Sequence, residues 1–268
     1  MSLVFLKLGG SLITDKEKTD TPNFHILEGI ADEIASALRE VPDLQLVLGH
    51  GSGSFGHHAA QKYNTREGVS TPEEWLGFAH VWDRAHALNC IVEQTLAKDN
   101  IPVLTFSPSG CIITRNHAIE SWNTILIHSA LHNHLVPLIH GDVVFDELIG
   151  GTILSTEELF IALSKYLVPD QILLAGIEPG VWQNYPTKDA IISKITPDTF
   201  MVNQSEDMRS SSPDVTGGMG SKIASMLEII KRHPSTRISI FSGVESGNIY
   251  SSLSGNLIGT CITSEERG

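Results

Sequence analysis

Leu44-Gln45-Leu46-Val47-Leu48-Gly49-His50-Gly51-Ser52-Gly53-Ser54-Phe55-Gly56-His57 decides the fold: an apolar run of strand length breaks into a glycine-rich turn that ends on histidine. Glycine has no Cβ, so the N–H groups of such a turn can converge on an anion, and a neighbouring imidazole adds a hydrogen bond that strengthens with charge. Working outward, short β-rich runs alternate with amphipathic stretches: Leu3 to Leu8, Phe24 to Glu40, Leu44 to Leu48, Pro72 to Lys98 and Val103 to Phe106. That rhythm predicts a parallel α/β sheet, and in such sheets ligands bind at the strand ends.

Farther along, Ser121 is placed to cap a helix running to His134, and Val136 to His140 reads as a buried strand. Ser155-Thr156-Glu157-Glu158 has capping-box spacing before a helix from Leu159 to Leu167, and Gln171 to Ala175 is another strand. The polar run Gln204 to Pro213 lacks either periodicity and is expected to be a mobile surface loop. With no internal repeat, the expectation is one domain over 1–268, an open sheet divided near Asp170 into lobes 1–170 and 171–268.

Composition narrows the function. With 268 residues, 41% of them hydrophobic, the chain can bury a sizeable core, and a net charge of -13 argues against a nucleic-acid surface, which is normally basic. An anionic ligand must therefore be met by a few placed cations. Three widely spaced cysteines, Cys90, Cys111 and Cys261, suggest neither a disulfide framework nor a zinc ribbon. No apolar stretch nears the roughly 18 residues of a membrane helix, so a soluble cytoplasmic protein is expected, with no metal held by its own side chains.

Lys7-Leu8-Gly9-Gly10-Ser11 places a lysine at the end of the first strand, followed by a turn able to present N–H groups to phosphate oxygens. Gly51 to Gly56 satisfies the GxGxxG pattern of dinucleotide sites. The polar run from His57 to Arg66 is unlike the apolar helix that pattern should open, and the expected second strand ending in an acid is missing. Asp214-Val215-Thr216-Gly217-Gly218-Met219-Gly220-Ser221-Lys222 leads into the helical spacing of Ile223, Met226, Leu227 and Ile230, which puts Lys222 beside unpaired N–H groups at a helix start. No GxxxxGK[ST] loop and no protein-kinase signature is present.

Lys7-Leu8-Gly9-Gly10-Ser11, the turn from His50 to His57, Gly141-Asp142-Val143-Val144 and the run Asp214 to Lys222 together resemble the amino acid kinase superfamily, and within it the isopentenyl phosphate kinases. The motifs occur in the family's order and span most of the chain. The resemblance implies an open αβα sandwich with a mainly parallel sheet, a homodimer, and transfer of the γ-phosphoryl of ATP with Mg2+ to isopentenyl phosphate or a related small phosphate.

It also implies roles. Lys7 and Lys222 stabilise the transferring phosphoryl, and Asp142 and Asp214 orient them. Lys16 approaches the phosphates, and Gly9, Gly10, Ser11, Gly217 and Gly218 line the nucleotide. Gly51, Ser52, Gly53 and His57 hold the acceptor phosphate. Phe78, which shares a helix stripe with Trp75, Ala79 and Trp82, contacts the acceptor's apolar tail. Phosphoryl transfer asks mainly for positioning and charge stabilisation, which suits such a set.

The sequence departs from the family in two places: Thr156-Glu157 replaces Gly-Asp, and Ile177-Glu178-Pro179-Gly180 replaces an acidic stretch. Both touch the nucleotide side. A kinase for another phosphate or phosphonate such as fosfomycin, and a non-catalytic nucleotide sensor, remain as alternative readings.

Overall fold

The computed structural model describes residues 2–184, 187–203 and 218–264, with the backbone alone at 57, 58 and 201–203. β1 (Ser2–Leu8), α1 (Gly10–Ile13), α2 (Phe24–Glu40), β2 (Leu44–His50), α3 (Gly53–Tyr63) and α4 (Pro72–Lys98) come first. Next are β3 (Val103–Thr105), α5 (Pro108–Cys111), β4 (Ile112–Arg115), β5 (Ala118–Trp122), α6 (Ile125–His132), β6 (Val136–His140), β7 (Asp142–Asp146), β8 (Gly150–Leu154) and α7 (Thr156–Leu163). The remainder holds β9 (Gln171–Gly176), β10 (Val181–Trp182), β11 (Ile191–Ile192), β12 (Lys194–Ile195), α8 (Pro197–Asn203), α9 (Gly218–Arg232), β13 (Arg237–Ser242), α10 (Asn248–Leu253) and β14 (Thr260–Ile262).

Among the described residues, eight strands form one sheet in the order β12-β14-β13-β9-β1-β2-β6-β3, parallel throughout except between β13 and β14. β1 is central, with Lys7 opposite Gly49 on one side and Leu174 on the other. Its side chains alternate between two cores, as a strand must. Val4, Leu6 and Leu8 pack with Leu27 and Ile34 of α2, Leu88 and Val92 of α4 and Ile249 of α10. Phe5 faces the other layer, with Ile127 of α6, Phe160 of α7 and Ile223 of α9. The molecule is thus an open αβα sandwich, and burying each such Leu, Ile or Phe contributes roughly 1.5–3 kcal/mol.

A second sheet, β5-β4-β7-β8, begins where β6 passes through Gly141 into β7. Here the structure corrects the sequence reading. Ser121 does not cap a helix; it lies in β5, paired with Ile113, and the helix starts only at Ile125. Asp146 explains why: its carboxylate accepts the N–H groups of Asn116 and His117 and the hydroxyl of Thr114, closing the β4–β5 turn from about 30 residues away in sequence. The polar run after the glycine turn does form a helix, α3, and the helix from Thr156 stops at Leu163. The polar run Gln204 to Pro213 lies outside the described residues. No helix among the described residues is long and apolar enough to cross a membrane.

Candidate active site

The ends of β1 and β2 meet in two glycine turns packed back to back. Gly9 donates its N–H to the Ala175 carbonyl (2.8 Å) and Gly51 to the Leu8 carbonyl (3.0 Å), which ties both turns to the sheet. A Cβ on Gly10 would stand 2.4 Å from the Gly53 nitrogen, a contact no side chain can make. Gly53 itself has φ +51°, and a Cβ there would collide with Thr14. Thr14 bridges the pair, donating its hydroxyl to the Gly10 carbonyl (2.7 Å) and accepting the Ser54 N–H (3.0 Å). Sequence alone shows two glycine turns. Their mutual contact shows that they form one structure.

A cleft of about 440 Å³ opens over these turns. Strand alternation puts Lys7 on the face shared with Phe5, toward α7, where it forms an ion pair with Glu157. Lys7 is 8% exposed and Glu157 5%. Burial would raise the Glu157 carboxyl, but the charges of Lys7 and Lys222, with a hydrogen bond from Lys7, hold it below the ordinary carboxylate range. Glu157 is placed in the first turn of α7 because Ser155 and Glu158 form the capping box anticipated from their spacing, and Arg66 clamps the same turn through Glu158 (2.9 Å) and the Ile153 carbonyl (2.8 Å).

Of the residues expected at the site, Lys7, Gly9, Gly10, Ser11, Lys16, Gly51, Ser52, Gly53 and Lys222 line this one cleft. Gly218 is the buried first residue of α9, so Lys222 lies in that helix's first turns, as its spacing implied. Asp142 begins β7, accepting N–H groups of Val143 (2.8 Å) and Ser109 (3.2 Å), and burial pushes its carboxyl up to about 6 against those bonds. Phe78 is buried in a cluster with Trp75 and Phe145, ring centroids 5.2 and 5.3 Å away, against the backbone of Gly151. Asp214, Gly217 and the side chain of His57 lie outside the described residues; the His57 backbone is in α3.

Glu157 is the functional candidate that sequence reasoning left without a role. Its signal was the capping box, which fixes it at a helix start next to a strand end, but its partner Lys7 is 150 residues away. Among the described residues, no three His, Cys, Asp or Glu side chains are grouped so as to hold a metal ion.

The amino acid kinase family model matches residues 2–242. Isopentenyl phosphate kinase of Methanocaldococcus jannaschii is 33% identical, covering 98% of this chain and 100% of its own. That of Methanothermobacter thermautotrophicus is 30% identical over 99% and 97%. An X-ray structure of isopentenyl phosphate kinase superposes with a TM-score of 0.81 at 28% identity, covering 97% of this chain and 100% of the other.

Proposed function

The chain belongs to the amino acid kinase family, and we propose that it transfers the γ-phosphoryl group of ATP to isopentenyl phosphate, giving isopentenyl diphosphate and ADP. The observation that carries this is the pair of interlocked glycine turns under one cleft with Lys7, Lys16 and Lys222 on its walls. Two anions have to be brought together, and each unit-charge repulsion at about 4 Å costs roughly 4 kcal/mol at an effective dielectric near 20. Several backbone N–H groups and three lysines are proportionate to that cost.

In this reading the acceptor phosphate sits on Gly51, Ser52 and Gly53 in the 1–170 lobe, with His57 donating to it. The nucleotide lies against Gly9, Gly10, Ser11, Gly217 and Gly218, toward the 171–268 lobe. Lys7 and Lys222 meet the transferring phosphoryl from two sides, and Glu157 holds both charges near one position. Asp142 and Asp214 add negative charge that orients the lysines. A phosphate oxygen is already nucleophilic, so no general base is required.

Magnesium fits as a companion of the ATP phosphates, since it is usually bound through one or two carboxylates plus phosphates and water. Glu157 is the carboxylate lining the cleft among the described residues, and it is paired with Lys7. The ion would supply further neutralisation of the phosphates. The isoprenoid tail extends toward Phe78, Trp75 and Phe145. The proposal includes homodimeric assembly in the cytoplasm, the former read by analytical ultracentrifugation. Its test is ADP formation from ATP and isopentenyl phosphate: turnover supports it, and its absence with the folded chain overturns it.

A further inference from the structure

Beneath the glycine turn lies a buried polar chain that the phosphoryl-transfer reading does not use. His50, the last residue of β2, shares the sheet face of Leu46 and Leu48 and so points to α4, where its Nε2 lies 3.1 Å from Asn89 Oδ1. Asn89 Nδ2 donates to Thr105 Oγ1 (3.1 Å), and Thr105 donates to Glu93 Oε2 (2.8 Å). His50 and Asn89 are both 1% exposed. The His50 ring stacks on His140, its register partner on β6, with centroids 5.4 Å apart.

The direction of every bond in this chain follows from its end. Thr105 spends its single hydroxyl proton on Glu93, so it must accept from the Asn89 amide nitrogen. The amide oxygen is left facing His50, which requires the proton on Nε2. The other ring nitrogen, Nδ1, stands 3.0 Å from the Gly51 carbonyl. Burial, then the neighbouring His140, push the His50 pKa down to about 4, so the ring is neutral at pH 7 and has one proton for two acceptors. Asn89 receives it, and the Gly51 carbonyl faces the Nδ1 lone pair with no proton between them.

We propose that Asn89 is a positioning residue, which fixes the Nε2–H tautomer of His50 and thereby the orientation of the Gly51 peptide in the acceptor turn. The His50 carbonyl is already engaged, accepting the Thr156 hydroxyl (2.7 Å) and the Gly141 N–H (3.1 Å), so the backbone before Gly51 is pinned from the start of α7 and the end of β6. Without Asn89, the imidazole moves its proton to Nδ1 and donates to the Gly51 carbonyl. With Nδ1 already 3.0 Å from that oxygen, the shift turns a contact between two lone pairs into a hydrogen bond, and so changes how the peptide is held whose neighbours form the phosphate cradle. The ring is faced by His140 from β6 and by Asn89, with Glu93 behind it, from α4; Lys7, whose side chain leaves β1 on the other face of the sheet, opposes ring protonation only by its charge.

The kinetic consequence rests on the kinase reading; the tautomer does not. The experiment is histidine-ring 15N NMR on the full chain together with steady-state kinetics, for wild type, Asn89→Ala and Glu93→Gln. Wild type is expected as Nε2–H and Asn89→Ala as Nδ1–H. The acceptor KM of Asn89→Ala should rise about tenfold, the value of one hydrogen bond, with the ATP KM within about twofold. Glu93→Gln leaves no cavity in the core and should give a mixture of tautomers, which keeps the test open if Asn89→Ala does not fold. The same tautomer in all three proteins, or an Asn89→Ala tautomer change with an unaltered acceptor KM, overturns the inference. Wild-type turnover is measured separately, so an inactive wild type speaks against the proposed function while the NMR still decides the tautomer.

Discussion

At the residue scale, the Lys7–Glu157 ion pair is where the proposed transfer chemistry meets the fold. A buried ion pair gains little net stability, because desolvating two charges offsets their attraction, but removing one partner strands the other. Glu157→Gln is therefore expected to lower kcat by about 10²-fold, as loss of one preorganised charge does, with a smaller change in either KM. Urea unfolding of the same variant should show destabilisation of about 3 kcal/mol. An unchanged kcat would mean that Glu157 does not hold the transferring lysines. His57→Ala should act differently, raising the acceptor KM by tenfold or more (roughly 1.5–3 kcal/mol for a charge-assisted bond) while leaving the ATP KM in place. Equal effects on both substrates would remove His57 from the acceptor site.

At the element scale, α4 carries Trp75 and Phe78, the aromatics proposed to meet the acceptor's tail. Thr71 and Glu74 cap it with reciprocal bonds, and Glu74 is held down to about 2, first by the Thr71 N–H and then by Ser70. Phe78 sits on the helix face toward β7 and β8, where a Cβ on Gly151 would come within 2.7 Å of its ring. Phe78→Ala is thus expected to open a cavity and shift kcat/KM toward longer isoprenyl phosphates, measured across a chain-length series. An unaltered series would place the tail elsewhere. The helices α2 and α4 and strands β1, β2, β6 and β9 were legible because their periodicity is local. The β4–β5 hairpin was hidden, since Asn116 and His117 both take positive φ and are closed by Asp146 from a distant strand. Nothing near Ser121 announces that partner.

At the scale of the molecule, pH tests how the interior is charged. His50 and His140 are each pushed down to about 4, chiefly by burial, so the unfolded chain binds protons more readily than the fold between about pH 6.5 and 4. Their contribution is present above pH 6.5 and is lost as pH falls toward 4. Asp142, raised to about 6 by burial, works oppositely: its contribution is greatest below its unfolded value and is lost as pH rises through 6. Two histidines outweigh one aspartate, so unfolding free energy should drop as pH falls from 7 to 4.5, by an amount on the order of a few kcal/mol. A flat profile in urea titrations would contradict the buried neutral imidazoles.

The site divided in the same way as the fold. Lys7, Lys222 and the glycine turns could be read because strand ends and helix starts are local features. The Lys7–Glu157 pair, the contact of Gly10 with Gly53 and the chain from Glu93 to His50 join residues that only the sheet order brings together. The central claim is phosphoryl transfer to a small isoprenoid phosphate, and the most direct measurement is ADP release with ATP and magnesium across isopentenyl phosphate, dimethylallyl phosphate, fosfomycin, UMP, glutamate and acetylglutamate. Isopentenyl phosphate is expected to give the highest kcat/KM. Turnover confined to an amino-acid carboxylate, or none on any acceptor, would contradict it.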